Sequence, residues 1–219
     1  MKNIPIFTGE NGTATLIFHE IPYSRRAYAI IRSVWENRTA AFLEECRQFC
    51  RAAGAEESYA SWKLETLPAA HAYDMLTMAC RKADLPRDGR PVELEPLTPE
   101  NSGDFLEIYN RCFRDVYGAA SYERSDLEPF YDEDVAWLAR VDGVYAGTAE
   151  ISKRGLEGIA VLPQFRGLGY DLALAVLDMV PRKTAELTVC STNERAIRLY
   201  RRLGFRQTEL VSRWWKLEK

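Results

Sequence analysis

The stretch Val161-Leu162-Pro163-Gln164-Phe165-Arg166-Gly167-Leu168-Gly169-Tyr170-Asp171-Leu172 constrains this chain more than any other. It reads as the end of a strand, a glycine-bearing turn and the start of a helix. Gly167 and Gly169 remove side chains where a ligand could approach the main chain. The helix that follows offers unpaired backbone N–H groups and the positive end of its dipole, so the turn suits an anion such as a diphosphate. Arg166 adds one mobile cation. A dinucleotide-binding fold needs a third glycine where Leu172 stands, and fewer than about fifty residues follow, too few for its sheet. A phosphate-binding Walker loop needs Gly-Lys-Ser/Thr, which is absent. The plain alternative is a turn that only joins strand to helix.

The rest of the chain is ordinary globular material. Of 219 residues, 47% are hydrophobic and 28% charged, and 29 Lys plus Arg against 32 Asp plus Glu give a net charge of −3. That balance creates no long-range field for nucleic acid or an anionic membrane, so any phosphate site must be local. Two histidines, His19 and His71, exclude a multi-histidine metal site. Cys46, Cys50, Cys80, Cys112 and Cys190 form no C-x-x-C pair and read as reduced, buried thiols. The N-terminal residues, Lys2 and a short apolar patch ahead of Thr8-Gly9-Glu10-Asn11-Gly12, form neither a signal peptide core nor a membrane span. A cytoplasmic protein is expected.

Ala83 to Pro91, rich in Pro, Gly and charge, divides the chain, with 1–83 expected as one domain, 84–91 as a linker and 92–219 as a second domain. Before the linker, Thr13–Glu20 and Ala27–Val34 form a hairpin-like pair. Phe42, Leu43, Cys46, Phe49 and Cys50 mark the buried face of a helix over 40–53. Ser58–Leu64 reads as extended, and 69–82 as helical. After it, Val92–Leu97 is a strand, and Thr98 caps a helix with Pro99 in its first turn. A shorter helix covers Asp126–Tyr131. Three strands, 135–141, 144–152 and 156–162, form an antiparallel meander. A helix over 168–179, a strand over 186–189, a helix over 194–203 and an aromatic strand around 213–217 complete the chain.

A second motif follows the glycine turn: Asn193-Glu194-Arg195-Ala196-Ile197-Arg198-Leu199-Tyr200-Arg201-Arg202-Leu203-Gly204-Phe205. Gln164-Phe165-Arg166-Gly167-Leu168-Gly169 resembles the Gln/Arg-x-x-Gly-x-Gly/Ala signature of the GNAT superfamily of acyl-coenzyme A-dependent N-acyltransferases. The later stretch resembles that family's Asn-x-x-Ala-x-x-x-Tyr-x-x-x-Gly-Phe element, in the family's order, and the resemblance covers about residues 92–219. It implies an α/β (α+β) protein with a mixed, mostly antiparallel central sheet flanked by helices. The smaller α/β part that precedes it reads as a degenerate GNAT-like fragment. Residues 13–82 repeat the order hairpin, helix, strand, helix seen over 144–203, but Val34-Trp35-Glu36-Asn37-Arg38-Thr39-Ala40 carries no glycine and should not bind a coenzyme. This part would pack against the second half, shape the acceptor cleft or make a dimer contact.

The resemblance also implies a reaction: transfer of an acetyl group from acetyl-coenzyme A to an amine of a small molecule or peptide by direct attack, with no metal. Ile159, Ala160 and Val161 would pair with the pantetheine arm through their backbone. Gln164, Phe165, Arg166, Gly167, Leu168, Gly169 and Tyr170 would form the diphosphate turn, and Asn193 would cap the next helix and reach the coenzyme. Tyr200 would protonate the departing thiolate, although Ala196, Leu199, Tyr200 and Leu203 equally form a core stripe. Glu157 is the candidate base and Glu150 its alternate; strand register decides between them, and either can be a solvated carboxylate. An acceptor pocket is expected over Asp115–Asp134, where Tyr117, Tyr122, Phe130 and Tyr131 lie among Glu123, Asp126, Glu128, Asp132, Glu133 and Asp134. Arg195, Arg198, Arg201, Arg202 and Arg206 form either a solvated basic face or a contact to the coenzyme's ribose phosphate. The competing function is a coenzyme-binding or scaffold protein without turnover.

Overall fold

The computed structural model describes residues 3–131 and 133–218. Its contacts divide the chain into two units, residues 1–75 with 210–219, and residues 76–209. The division falls within two strands, and the last ten residues group with the first unit.

The first unit runs β1 (Ile6–Thr8), β2 (Gly12–Ile17), a short helical turn α1 (Ile21–Ser24), β3 (Arg26–Val34), α2 (Thr39–Ala52), β4 (Glu57–Ser61) and the start of β5 (Ala70–Arg81). β2 and β3 form the expected antiparallel hairpin, with Leu16 opposite Ala29. Period-two burial puts Ala14 and Leu16 with Ala27, Ala29 and Ile31 in one core, which Phe42, Leu43, Cys46 and Cys50 of α2 cover. β4 returns parallel to β3, so α2 is the crossover of a βαβ unit. Where a helix over 69–82 was expected, the chain forms the strand β5 over Ala70–Arg81. Leu76, Met78 and Cys80 alternate onto a core, and sheet partners override the helix-forming Ala, Met and Leu content.

The second unit holds β6 (Glu93–Pro96), α3 (Ser102–Phe113), α4 (Arg124–Leu127), β7 (Ala136–Val141), β8 (Val144–Ile151), β9 (Gly155–Val161), α5 (Leu168–Leu177), β10 (Thr184–Cys190), α6 (Glu194–Arg202) and the start of β11 (Arg206–Lys216). Strand order here is β5-β10-β9-β8-β7-β6. β6 to β9 are antiparallel, and the Asp142-Gly143 turn has φ of 51° and 77°, as a two-residue hairpin requires. β10 is parallel to β9, with α5 as the crossover. β7 is buried on both faces. Trp137 and Ala139 pack with Leu172, Ala173, Val176 and Leu177 of α5, while Ala136 and Leu138 pack with Phe105, Ile108 and Tyr109 of α3. Helix α3 starts three residues later than Thr98 suggests. Asn101 occupies the cap position and its Oδ1 accepts from the Thr98 amide at 2.8 Å.

The 84–91 stretch does not hang free. The Tyr170 hydroxyl donates to Asp88 at 2.7 Å, and the Arg90 amide and Nε donate to Asp171 at 2.9 and 3.1 Å. These bonds pin it to the first turns of α5. Among the described residues no helix is long and apolar enough to cross a membrane.

Candidate active site

β9 and β10 pair where Gly155 and Leu156 meet Glu186 and Leu187. Beyond that point β9 continues with β8, Ala149 opposite Ile159, Thr148 opposite Ala160 and Gly147 opposite Val161. A cleft of about 510 Å³ opens there, lined by Ile159, Ala160 and Val161, by Arg166, Gly167, Gly169 and Tyr170, by one face of α6, and by Cys112, Phe113 and Val116. Successive residues of an antiparallel strand direct their N–H and C=O groups to alternate edges. Part of the Ile159–Val161 backbone is therefore turned from β8 to the open edge.

The start of α5 forms one end of the cleft. Gly167 is its N-cap at φ 110°, a conformation that side chains resist, and no side chain caps the helix. The first-turn N–H groups thus lack an intrahelical or capping acceptor. Gly169 differs: an added Cβ would lie 3.7 Å from Leu199 and Val161, an ordinary contact, so its smallness keeps the cleft open without being a backbone demand. Asp171 is an acid in this first turn, where it would oppose an anion, but Arg90 holds it at 2.9 Å. Tyr170 lies with its ring under the Arg202 guanidinium, 4.0 Å from the centroid.

α6 forms another wall. The Asn193 side chain accepts from the Ala196 amide at 3.1 Å, which caps the helix as expected. Helical spacing then turns Arg195, Arg198, Leu199, Tyr200 and Arg202 to the cleft. Arg198 is engaged with Glu194 at 2.9 Å. The Tyr200 hydroxyl has no hydrogen-bond partner among the described residues, and burial pushes it up to about 12, so it keeps its proton at neutral pH.

The two carboxylates part company. Glu150 and Gly158 are opposed, as are Ile151 and Leu156, which leaves Glu157 as the extra residue of a β-bulge. Glu157 is exposed. Glu150 is only 7% exposed and accepts from the Tyr122 hydroxyl at 2.9 Å through Oε2. Burial pushes its carboxyl up to about 7; the Tyr122 bond works against that rise and the Glu157 charge adds to it. Neither carboxylate lines the cleft wall itself.

Of the expected turn residues, Arg166, Gly167, Gly169 and Tyr170 line the cleft, whereas Gln164 is exposed beside it. Phe165 packs into the α3 core and Leu168 into the α5 core. Arg195, Arg198 and Arg202 face the cleft; Arg201 and Arg206 do not. Within the expected acceptor region, Glu123 and Asp126 form the capping box of α4. Tyr122 stacks on Tyr109 at 4.5 Å and meets Phe130 edge-on at 6.1 Å. Asp132 lies outside the described residues. Cys112, Phe113 and Val116 also line the cleft and were not among the expected site residues; Cys112 read only as a buried thiol. Burial raises the Cys112 thiol, which reads as a wall group.

Residues 103–205 match the acetyltransferase (GNAT) family model. A protein of Methanocaldococcus jannaschii named as an uncharacterized N-acetyltransferase is 30% identical over 56% of this chain and 64% of its own length. The chain thus spans less than two thirds of that relative. A structure of a functionally unknown conserved protein from Staphylococcus epidermidis superposes with a TM-score of 0.62 at 15% identity, over 99% of this chain and 94% of that one. A tandem GNAT protein from the clavulanic acid biosynthesis pathway superposes at 0.54 and 16% identity, over 95% and 80%. The parallel β9–α5–β10 crossover, the open β9 edge and the glycine-started helix all lie inside residues 103–205, the segment of this chain that belongs with the acetyltransferase (GNAT) family.

Proposed function

We propose that the protein moves an acetyl group from acetyl-coenzyme A to an amine by direct attack. The observation that carries this reading is the cleft at the open edge of β9, ended by the uncapped α5 helix behind Gly167. The free amides of the Gln164–Gly169 turn would receive the diphosphate, that of Phe165 being bonded to the Leu162 carbonyl, with Arg166 beside them, and the Ile159–Val161 backbone would hold the pantetheine arm and polarise the thioester carbonyl. Asn193 sets the α6 wall against the coenzyme. The donor set fits the coenzyme: backbone N–H groups and guanidinium for phosphate, an apolar wall of Val161, Leu199 and Phe113 for the arm.

The amine must lose a proton for its lone pair to attack the carbonyl. Glu150 is better suited than Glu157, because its buried carboxyl, raised to about 7 and held by Tyr122, is poised at working pH, whereas Glu157 is the exposed residue of the bulge. As the C–S bond breaks, Tyr200 would give its proton to the thiolate. Thiol release from acetyl-coenzyme A with a panel of primary amines tests the scheme. Wild type should show amine-dependent release, and Tyr200→Phe should lower kcat by about 10- to 1,000-fold with coenzyme affinity kept. Equal kcat in both proteins removes Tyr200 from the reaction, and binding without turnover across the panel removes the activity.

A further inference from the structure

We infer that Tyr122 is the positioning residue of the base, holding one oxygen of the Glu150 carboxylate so that the other is left for the acceptor amine. This rests on Glu150 being the base. Tyr122 donates to Oε2 at 2.9 Å, and Oε1 has no protein partner among the described residues. A phenol can fix a carboxylate only if it is itself fixed, and this one is held three ways. Its backbone is clipped on both sides of the residue by the Asn110 amide: the Tyr122 N–H donates to Asn110 Oδ1 at 2.9 Å and Asn110 Nδ2 donates to the Tyr122 carbonyl at 2.8 Å. Its ring stacks on Tyr109, 4.5 Å between centroids at 24°. Phe130 closes its edge.

The clip originates on α3 and the carboxylate on β8, so the hydroxyl ties the loop after α3 to the sheet at the carboxylate. Of the titratable groups around Glu150, Tyr122 meets it directly, Tyr109 stands behind Tyr122 on α3, and Glu157 faces it from the β9 bulge. Of these three, only Glu157 opposes the charge on Glu150. A donor to the ionised carboxylate is therefore the one local counterweight to burial. Removing it leaves the carboxyl protonated at working pH, and with both oxygens free to rotate.

The test is a carboxyl titration by carbon NMR on protein labelled at the glutamate δ-carbon, with the Glu150 signal assigned by its loss in Glu150→Gln. It needs no knowledge of the acceptor. Tyr122→Phe keeps the ring and its stack, and its Glu150 midpoint should lie about one pH unit above that of wild type. The same midpoint in both overturns the role given to Tyr122. If Tyr122→Phe does not fold, Asn110→Ala, which releases the clip, should move the midpoint in the same direction by less; no movement overturns the proposal. The base reading fails separately, if Glu150→Gln transfers acetyl groups to the amine panel at the wild-type rate.

Discussion

At the scale of single residues, the decisive distinction is between two carboxylates that look alike in sequence. Glu157 sits on the strand that leads into the glycine turn, yet the bulge makes it the unpaired residue and exposes it. Glu150 is buried and raised to about 7. Sequence periodicity assigns faces only while pairing is regular, and one inserted residue shifts the assignment. The Tyr122 contact was illegible for a different reason, since it joins residues 28 apart through a loop of no regular period. A raised carboxyl has a stability consequence. Below the unfolded pKa of about 4.5 both states hold the proton and the raised pKa has no effect on stability; as pH rises toward 7 the unfolded chain releases it first, and native stability falls. By urea unfolding, wild type should lose about 3 kcal/mol relative to Glu150→Gln between pH 4 and pH 8. A difference between the two that stays constant with pH would mean that Glu150 titrates normally.

At the scale of elements, the glycine turn was legible because its two glycines stand between an apolar run and a helical period, and local backbone chemistry suffices to read that. Their separate duties were not. Gly167 is required by φ 110°, whereas Gly169 only borders the cleft. Gly167→Ala should therefore cost about 1–3 kcal/mol of stability, measured by denaturant unfolding. Gly169→Ala should cost well under about 1 kcal/mol and act chiefly on coenzyme affinity. Equal stability losses would show that backbone strain does not separate the two positions. β5 is the element whose type the sequence hid: its Ala, Met and Leu content favours a helix, while Leu76, Met78 and Cys80 carry the period-two signal of the strand. Propensity yields there to the neighbouring strands, which no local window contains.

At the scale of the molecule, each unit contains a parallel βαβ crossover, β3–α2–β4 in one and β9–α5–β10 in the other. Only the second is entered through a glycine. The first places Asn37 at φ 58° ahead of α2, so it makes the bend while keeping a side chain at the helix entrance. The expected helix at the end of that half is β5, and the likeness of the halves stops there. The proposed function then predicts one coenzyme site per chain, with the diphosphate at the α5 end contributing more affinity than the arm.

Isothermal titration of wild type and Gly169→Val with coenzyme A and with pantetheine, which has the arm but no phosphates, tests that claim most directly. Coenzyme A should bind at one site per chain, pantetheine should bind at least about tenfold more weakly, and the valine should weaken coenzyme A. Equal affinity for the two ligands, with the valine variant indistinguishable from wild type, would contradict the claim.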